Sequence, residues 1–168
     1  MLPRKMGRFH EAYIVVFAAN MKAVVQRVSR ARVTVGEDVV GEIGAGLCVL
    51  LGVARSDDSG SADRLAAKVA QLRIFENDEG RFDRSLLDVH GEALVVSQFT
   101  LVADSRRQKG TRPDFSLAAP REQAEPLYEA FREALQRDWG VDVATGLFGA
   151  YMELELVNDG PVTIVLEV

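Results

Sequence analysis

Apolar and polar residues alternate from Lys22 onward. In KAVVQRVSRARVTV, Val24, Gln26 and Val28 fall on one strand face, and Val25 and Arg27 on the other. A period of two is the pattern of a half-buried strand. GED and GAG then punctuate the run as turns, and LCVLLGV follows without a polar break. A continuous apolar run of that length predicts a central strand covered on both faces. The period then changes. SDDSGSADRLAAKVAQLRIF sets Leu65, Val69 and Leu72 on one helical face, with Ser61 as the N-cap. GEALVVSQFTLVA returns to strand, and DSRRQKGTRPDFSLAAP holds no period and reads as loop. PREQAEPLYEAFREALQRDWG is a second amphipathic helix, with Leu127, Phe131 and Leu135 on its stripe and Gly140 as its C-cap. GAYMELELVN and PVTIVLEV are expected to close the chain as a pair of strands.

This order predicts one α/β domain with a mostly antiparallel, curved sheet and two helices. It lacks the regular strand–helix alternation of a doubly wound fold. The pattern alone fits both a barrel-like and an open sheet.

Composition narrows the partners. The chain has 168 residues, 48% of them hydrophobic, enough for a real core, and a net charge of −5. An acidic balance argues against wrapping a long nucleic acid, because that affinity comes from Lys and Arg on phosphates. It leaves room for gripping a short end through a local basic loop. Cys48 is the single cysteine, so neither an intrachain disulfide nor a cysteine metal cluster is available. Its apolar surroundings predict a buried, inert thiol. The first twenty residues stand apart: three basic residues precede the short run IVVFAA, which is shorter than a signal-peptide core. Residues 1–20 are therefore read as an extension from an upstream start, with the folded domain at 21–168. One cysteine and no export signal point to the cytoplasm, with no membrane partner.

The usual catalytic signatures are absent. There is no GxxxxGK[ST] and no HExxH, and GEIGAG runs into a strand rather than a helix. His10 lies in the extension and His90 in a polar turn, so a histidine relay or metal site is not expected, nor is a cofactor. What remains is polar chemistry inside apolar strands. Ser97, Gln98 and Thr100 interrupt VVSQFTLVA, and buried polar groups cost free energy unless paired. Either they pair locally or the strand reaches a pocket there. Arg106, Arg107, Lys109 and Arg112 crowd one loop and are the best phosphate candidates. NDGPVT supplies a turn, and its Gly160–Pro161 pair exposes main-chain carbonyls without a bulky side chain. An X-Pro bond of this kind is a candidate for the cis form.

Taken in order, MKAVVQRV, GEIGAGLCVLLGV, LRIF, ALVVSQFTL, GTRPDFS, GLFGAYM and LVNDGPVT span Met21 to Val168. On these stretches the chain resembles the D-aminoacyl-tRNA deacylases of the bacterial and eukaryotic type. The resemblance implies a small barrel-like α/β fold and a homodimer with two active sites at the subunit interface. The implied substrate is the aminoacyl-tRNA 3′ end carrying a D-amino acid, or glycine mischarged on tRNA, and the reaction is ester hydrolysis. Ser97, Gln98, Phe99 and Thr100 match the family's active-site segment. Gly160 and Pro161 match a Gly-cisPro pair that reaches into the partner's pocket and rejects L-residues. Arg27 matches an arginine that holds that pair, and Phe148 and Met152 match positions near the terminal adenine. The basic loop is somewhat longer than the family pattern, which leaves open which of its cations meets phosphate. Thr100 as nucleophile and main-chain N–H groups as oxyanion donors both remain open as mechanisms. Two other classes stay in view: a noncatalytic dimeric protein that binds a tRNA end or small ligand, and a general Ser/Thr esterase.

Overall fold

The alternating N-terminal run folds into one long strand that serves three partners. The computed structural model describes residues 19–168; most of the expected extension lies outside the described residues. The elements are β1 (Lys22–Val35), β2 (Asp38–Ile43), β3 (Gly46–Gly52), α1 (Ser59–Gln71), β4 (Phe75–Glu76), β5 (Phe82–Arg84), β6 (Glu92–Ser97), a 3-10 helix (Phe99–Val102), α2 (Arg121–Arg137), β7 (Val143–Thr145) and β8 (Glu153–Glu167). The first half of β1 pairs with β3 and its second half with β2, both antiparallel and on one edge. β8 runs antiparallel along the other edge. β3, β6 and β7 continue the sheet in parallel. The result is a mixed, nearly closed barrel with two helices packed on it. The gap is narrowest where β2 approaches β7: a Cβ built on Gly41 would fall against the Thr145 carbonyl oxygen.

The barrel wall has two apolar faces, which explains the unbroken apolar run of β3. Leu47, Val49 and Leu51 point to the helices, where Leu65, Val69, Phe131 and Leu135 meet them. Cys48 points inward to Val28, Val33, Ile43, Leu94 and Val96. Each such side chain contributes about 1.5–3 kcal/mol when taken fully from water. Burial pushes the Cys48 thiol up to about 12. Met21 is fully buried, and its N–H donates to Asp57 Oδ1 at 3.0 Å. Among the described residues no helix is long and apolar enough to cross a membrane.

Five details depart from the pattern reading. The N-cap of α1 is Asp58, not Ser61. The Asp58 carboxylate accepts the Ser61 N–H at 2.9 Å and the Ser61 hydroxyl accepts the Asp58 N–H, a reciprocal capping box. The stripe of α2 is centred on Tyr128, Phe131 and Leu135, while Leu127 is only partly buried. The strand in VVSQFTLVA ends at Ser97 and gives way to the 3-10 helix. The C-terminus is one strand and not a hairpin, because β1 is long enough to pair with both halves of it. The C-cap of α2 is likewise Asp138 and not Gly140, which follows two residues later with φ +66° and donates its N–H to the Gln136 carbonyl.

The close approach at Gly41 yields a prediction. Gly41→Ala places a methyl group against main chain that cannot move without widening the gap between β2 and β7. We expect destabilisation of about 1–3 kcal/mol, read as a lower urea midpoint at unchanged m-value. An unchanged midpoint would show that the β2–β7 approach is not tight.

Candidate functional site

β3 and β6 lie side by side with Leu51 opposite Ser97, so both end on the same rim. The Gln98 N–H donates to the Leu51 carbonyl at 2.8 Å, which prolongs the pairing by one bond. The chain then turns into the 3-10 helix, with the Leu101 N–H on the Gln98 carbonyl. Gly52 permits this: a Cβ there would stand 3.0 Å from Leu101 Cβ and 3.1 Å from the Gln98 carbonyl oxygen. Because the helix begins at Phe99, the N–H groups of Phe99 and Thr100 precede any intrahelical acceptor. The Gln98 side-chain amide donates to the Thr100 hydroxyl oxygen. Phe99 is 59% exposed and rests edge-on against Phe115, with ring centroids 5.2 Å apart.

Facing this segment is the loop from Gly146 to Met152. Between the two lies a cleft of about 350 Å³. Ser97, Gln98 and Phe99 line one side, Phe148 and Met152 the other, with Tyr128 also in the lining. The lining is mostly apolar, with Ser97 and Gln98 at the strand end and the tyrosines Tyr128 and Tyr151 as its polar side chains, the pattern of a ligand site. Thr100 does not line the cleft; it is exposed beside it and tied to Gln98. Among the described residues no group of three His, Cys, Asp or Glu side chains is placed to hold a metal ion.

Gly160, Pro161 and Arg27 do not line this chain's cleft. The pair sits on a bulge in β8. Gln26 lies opposite Thr163 and Val28 opposite Asn158, so residues 159–162 are extruded opposite Arg27 alone. The Gly160–Pro161 bond is cis, and both residues are exposed. Gly160 has φ +138°, and a Cβ there would stand 2.7 Å from Val162 Cγ2, so glycine is required. Asn158 Oδ1 accepts the Val162 N–H at 2.9 Å and spans the bulge. Arg27 clamps it from beneath. Only 6% exposed, Arg27 donates from Nε to the Asp159 carbonyl at 2.9 Å and from Nη1 to the Ile74 carbonyl at 2.7 Å. The Asp159 and Glu76 carboxylates lie within 3.6 Å. The guanidinium also stands 5.7 Å from the Phe82 ring centroid, so the charge is well compensated.

The basic loop is not uniformly free. Asp104 accepts both the Arg106 N–H and its Nε–H and pairs with Arg107, and these partners hold its carboxyl below the usual range. Lys109 and Arg112 are exposed and make no ion pair among the described residues. The pattern reading missed Tyr128. Its one signal was a hydroxyl standing on the apolar stripe of α2.

The family described as D-Tyr-tRNA(Tyr) deacylase matches residues 24–167. Proteins named D-aminoacyl-tRNA deacylase from Roseiflexus sp. (strain RS-1), Symbiobacterium thermophilum and Thermus aquaticus are 62%, 60% and 54% identical over 147 residues. These matches cover 88% of this chain and 93%, 95% and 95% of the relatives. Among solved structures, a c-Myc DNA unwinding element binding protein superposes with a TM-score of 0.79 at 46% identity, over 88% of this chain and 98% of the other. A probable eukaryotic D-amino acid tRNA deacylase shares the fold, with a TM-score of 0.76 at 17% identity over 89% and 100%.

The clamp on the bulge can be tested without any assay of activity. Lysine is a point donor and cannot serve two separated carbonyls. Arg27→Lys is expected to lower stability by about 2 kcal/mol, seen in the urea midpoint, and to shift the amide resonances of Asp159 and Val162. Unmoved resonances would mean that the bulge holds its shape without the clamp.

Proposed function

Because the chain belongs to the D-Tyr-tRNA(Tyr) deacylase family, we propose that it hydrolyses the ester joining a D-amino acid to the 3′ end of tRNA. The products are free tRNA and the D-amino acid, and glycine mischarged on tRNA is removed in the same way. The observation that carries this reading is the cleft where Ser97, Gln98 and Phe99 face Phe148 and Met152. Aromatic and thioether side chains suit the flat face of a terminal adenine, and the strand end suits the polar ester. This reaction serves translational quality control, in the compartment where translation runs.

In this reading a homodimer completes each site. Gly160 and Pro161 project from the bulge and do not line their own cleft. Set against a partner's cleft, their carbonyls crowd the substituents of an L-residue and spare those of a D-residue. A backbone wall cannot yield by changing rotamer, so it excludes the wrong hand by clash. Exposed Phe99, Tyr151 and Val157 supply apolar surface for such a contact. The loop cations Lys109 and Arg112 remain available for the phosphates of the acceptor end, with Arg106 and Arg107 partly engaged by Asp104.

The chemistry runs through main-chain donors. Water attacks the ester carbonyl carbon, and the resulting oxyanion accepts hydrogen bonds from the N–H groups of Phe99 and Thr100. The bond to the ribose oxygen then breaks and that oxygen takes up the proton, with the neighbouring ribose hydroxyl assisting the transfer. Thr100 as nucleophile is disfavoured. Its hydroxyl oxygen already accepts from Gln98, and no histidine, lysine or carboxylate bonds to it among the described residues.

Two measurements test this. Purified protein is given matched D-Tyr-tRNA and L-Tyr-tRNA, and rapid release from the D ester alone is expected. Equal release from both would remove the chirality gate, and binding of tRNA without any release would favour a noncatalytic binding protein. Thr100→Ala is expected to lose less than about tenfold in rate. A loss on the order of 10⁶ at unchanged binding would instead make Thr100 the nucleophile.

A further inference from the structure

Three walls of the cleft meet at one atom. The Val95 carbonyl oxygen, two residues before Ser97 in β6, accepts the Tyr128 hydroxyl at 2.8 Å and the Gly146 N–H at 3.2 Å. Tyr128 comes from α2. Gly146 opens the loop that runs to Met152. Val95 belongs to the strand that ends in Ser97.

The contacts radiating from this atom reach the residues facing the cleft. The Tyr128 ring lines the cleft although the residue is only 2% exposed. Its centroid lies 5.6 Å from that of Phe148, with the rings tilted by 59°. On the rim, the Arg121 guanidinium stands 5.7 Å from the Phe148 centroid and is held by Glu125 at 3.0 Å. Met152 lies directly on Gly146, since a Cβ there would stand 2.6 Å from the Met152 sulfur. Burial pushes the ionisation of the Tyr128 hydroxyl well above its ordinary range, so it stays a donor throughout the working pH range.

We propose that Tyr128 is a positioning residue. Through the Val95 carbonyl and the Phe148 ring it sets the spacing between the Ser97–Thr100 segment and the Phe148–Met152 wall. That spacing fixes how tightly the terminal nucleoside of the substrate is gripped; the nucleoside rests on the deacylase reading above, whereas the spacing does not. A plain core role for Tyr128 predicts something else: its removal changes stability and nothing particular to the cleft.

Tyr128→Phe separates the two. It keeps the ring and nearly all the volume, and the Val95 carbonyl keeps the Gly146 N–H, so no buried acceptor is orphaned. The protein is labelled with ¹³C at its methionine methyl groups, and Met152 is assigned by Met152→Leu. In Tyr128→Phe the Met152 methyl resonance is expected to shift or broaden, while that of buried Met21 stays in place. KM for D-Tyr-tRNA is expected to rise about three- to tenfold, the size of one lost hydrogen bond, with kcat within about twofold. An unmoved Met152 resonance overturns the proposal, as does a moved resonance with unchanged KM. Shifts at Met21 as large as those at Met152 also overturn it, because they mark a general core effect. If the wild-type protein releases nothing from D-Tyr-tRNA while Met152 alone responds, the positioning role stands and the deacylase reading falls.

Discussion

The register of β1 is the constraint on which the rest of the molecule depends. One edge of this strand is shared end to end by β3 and β2, and the other carries β8 along its length. A twisted strand long enough to serve three partners brings β2 round to β7 and nearly closes the barrel. The same register makes the bulge. β8 carries more residues between its two paired halves than β1 can match, so residues 159–162 are pushed out opposite Arg27. The residue under the bulge is the one able to bond two carbonyls at once.

This arrangement separates the two parts of the inferred chemistry. The cleft lies where parallel β3 and β6 end together, and the Gly-Pro bulge lies on β8. Each is held by main-chain carbonyls: Arg27 bonds those of Asp159 and Ile74, and Tyr128 bonds that of Val95. Bonds to main chain fix a backbone more firmly than side-chain pairs do, because the acceptor has no rotamer freedom. The proposed discrimination between hands would draw on that rigidity, since a wall that relaxes by a fraction of an ångström admits both.

Much of the fold was legible in the alternation of residues. The unbroken run of β3 marked a strand covered on both faces, and the stripes of α1 and α2 marked two helices against a sheet. The misreadings have local causes. Asp58 and Ser61 both suit a cap, and only the reciprocal bonding tells which of them starts α1. Asn-Asp-Gly-Pro carries a turn signal whether the chain reverses or bulges; the difference lies in the partner strand, which local sequence does not reveal. The small hairpin of β4 and β5 was too short to leave a period.

The site divides in the same way. The sequence alone determined the long N-terminal strands and both helices, the polar break at Ser97–Thr100, the glycine and proline that form the bulge, and the family they identify. These are properties of neighbouring residues and of their spacing along the chain. The tertiary structure decided that Phe148 and Met152 face Ser97, that Arg27 lies beneath Asp159, and that Tyr128 ties three walls to one carbonyl. Those contacts join residues far apart in the chain, and their distances are set by strand register and barrel closure, which no local pattern encodes.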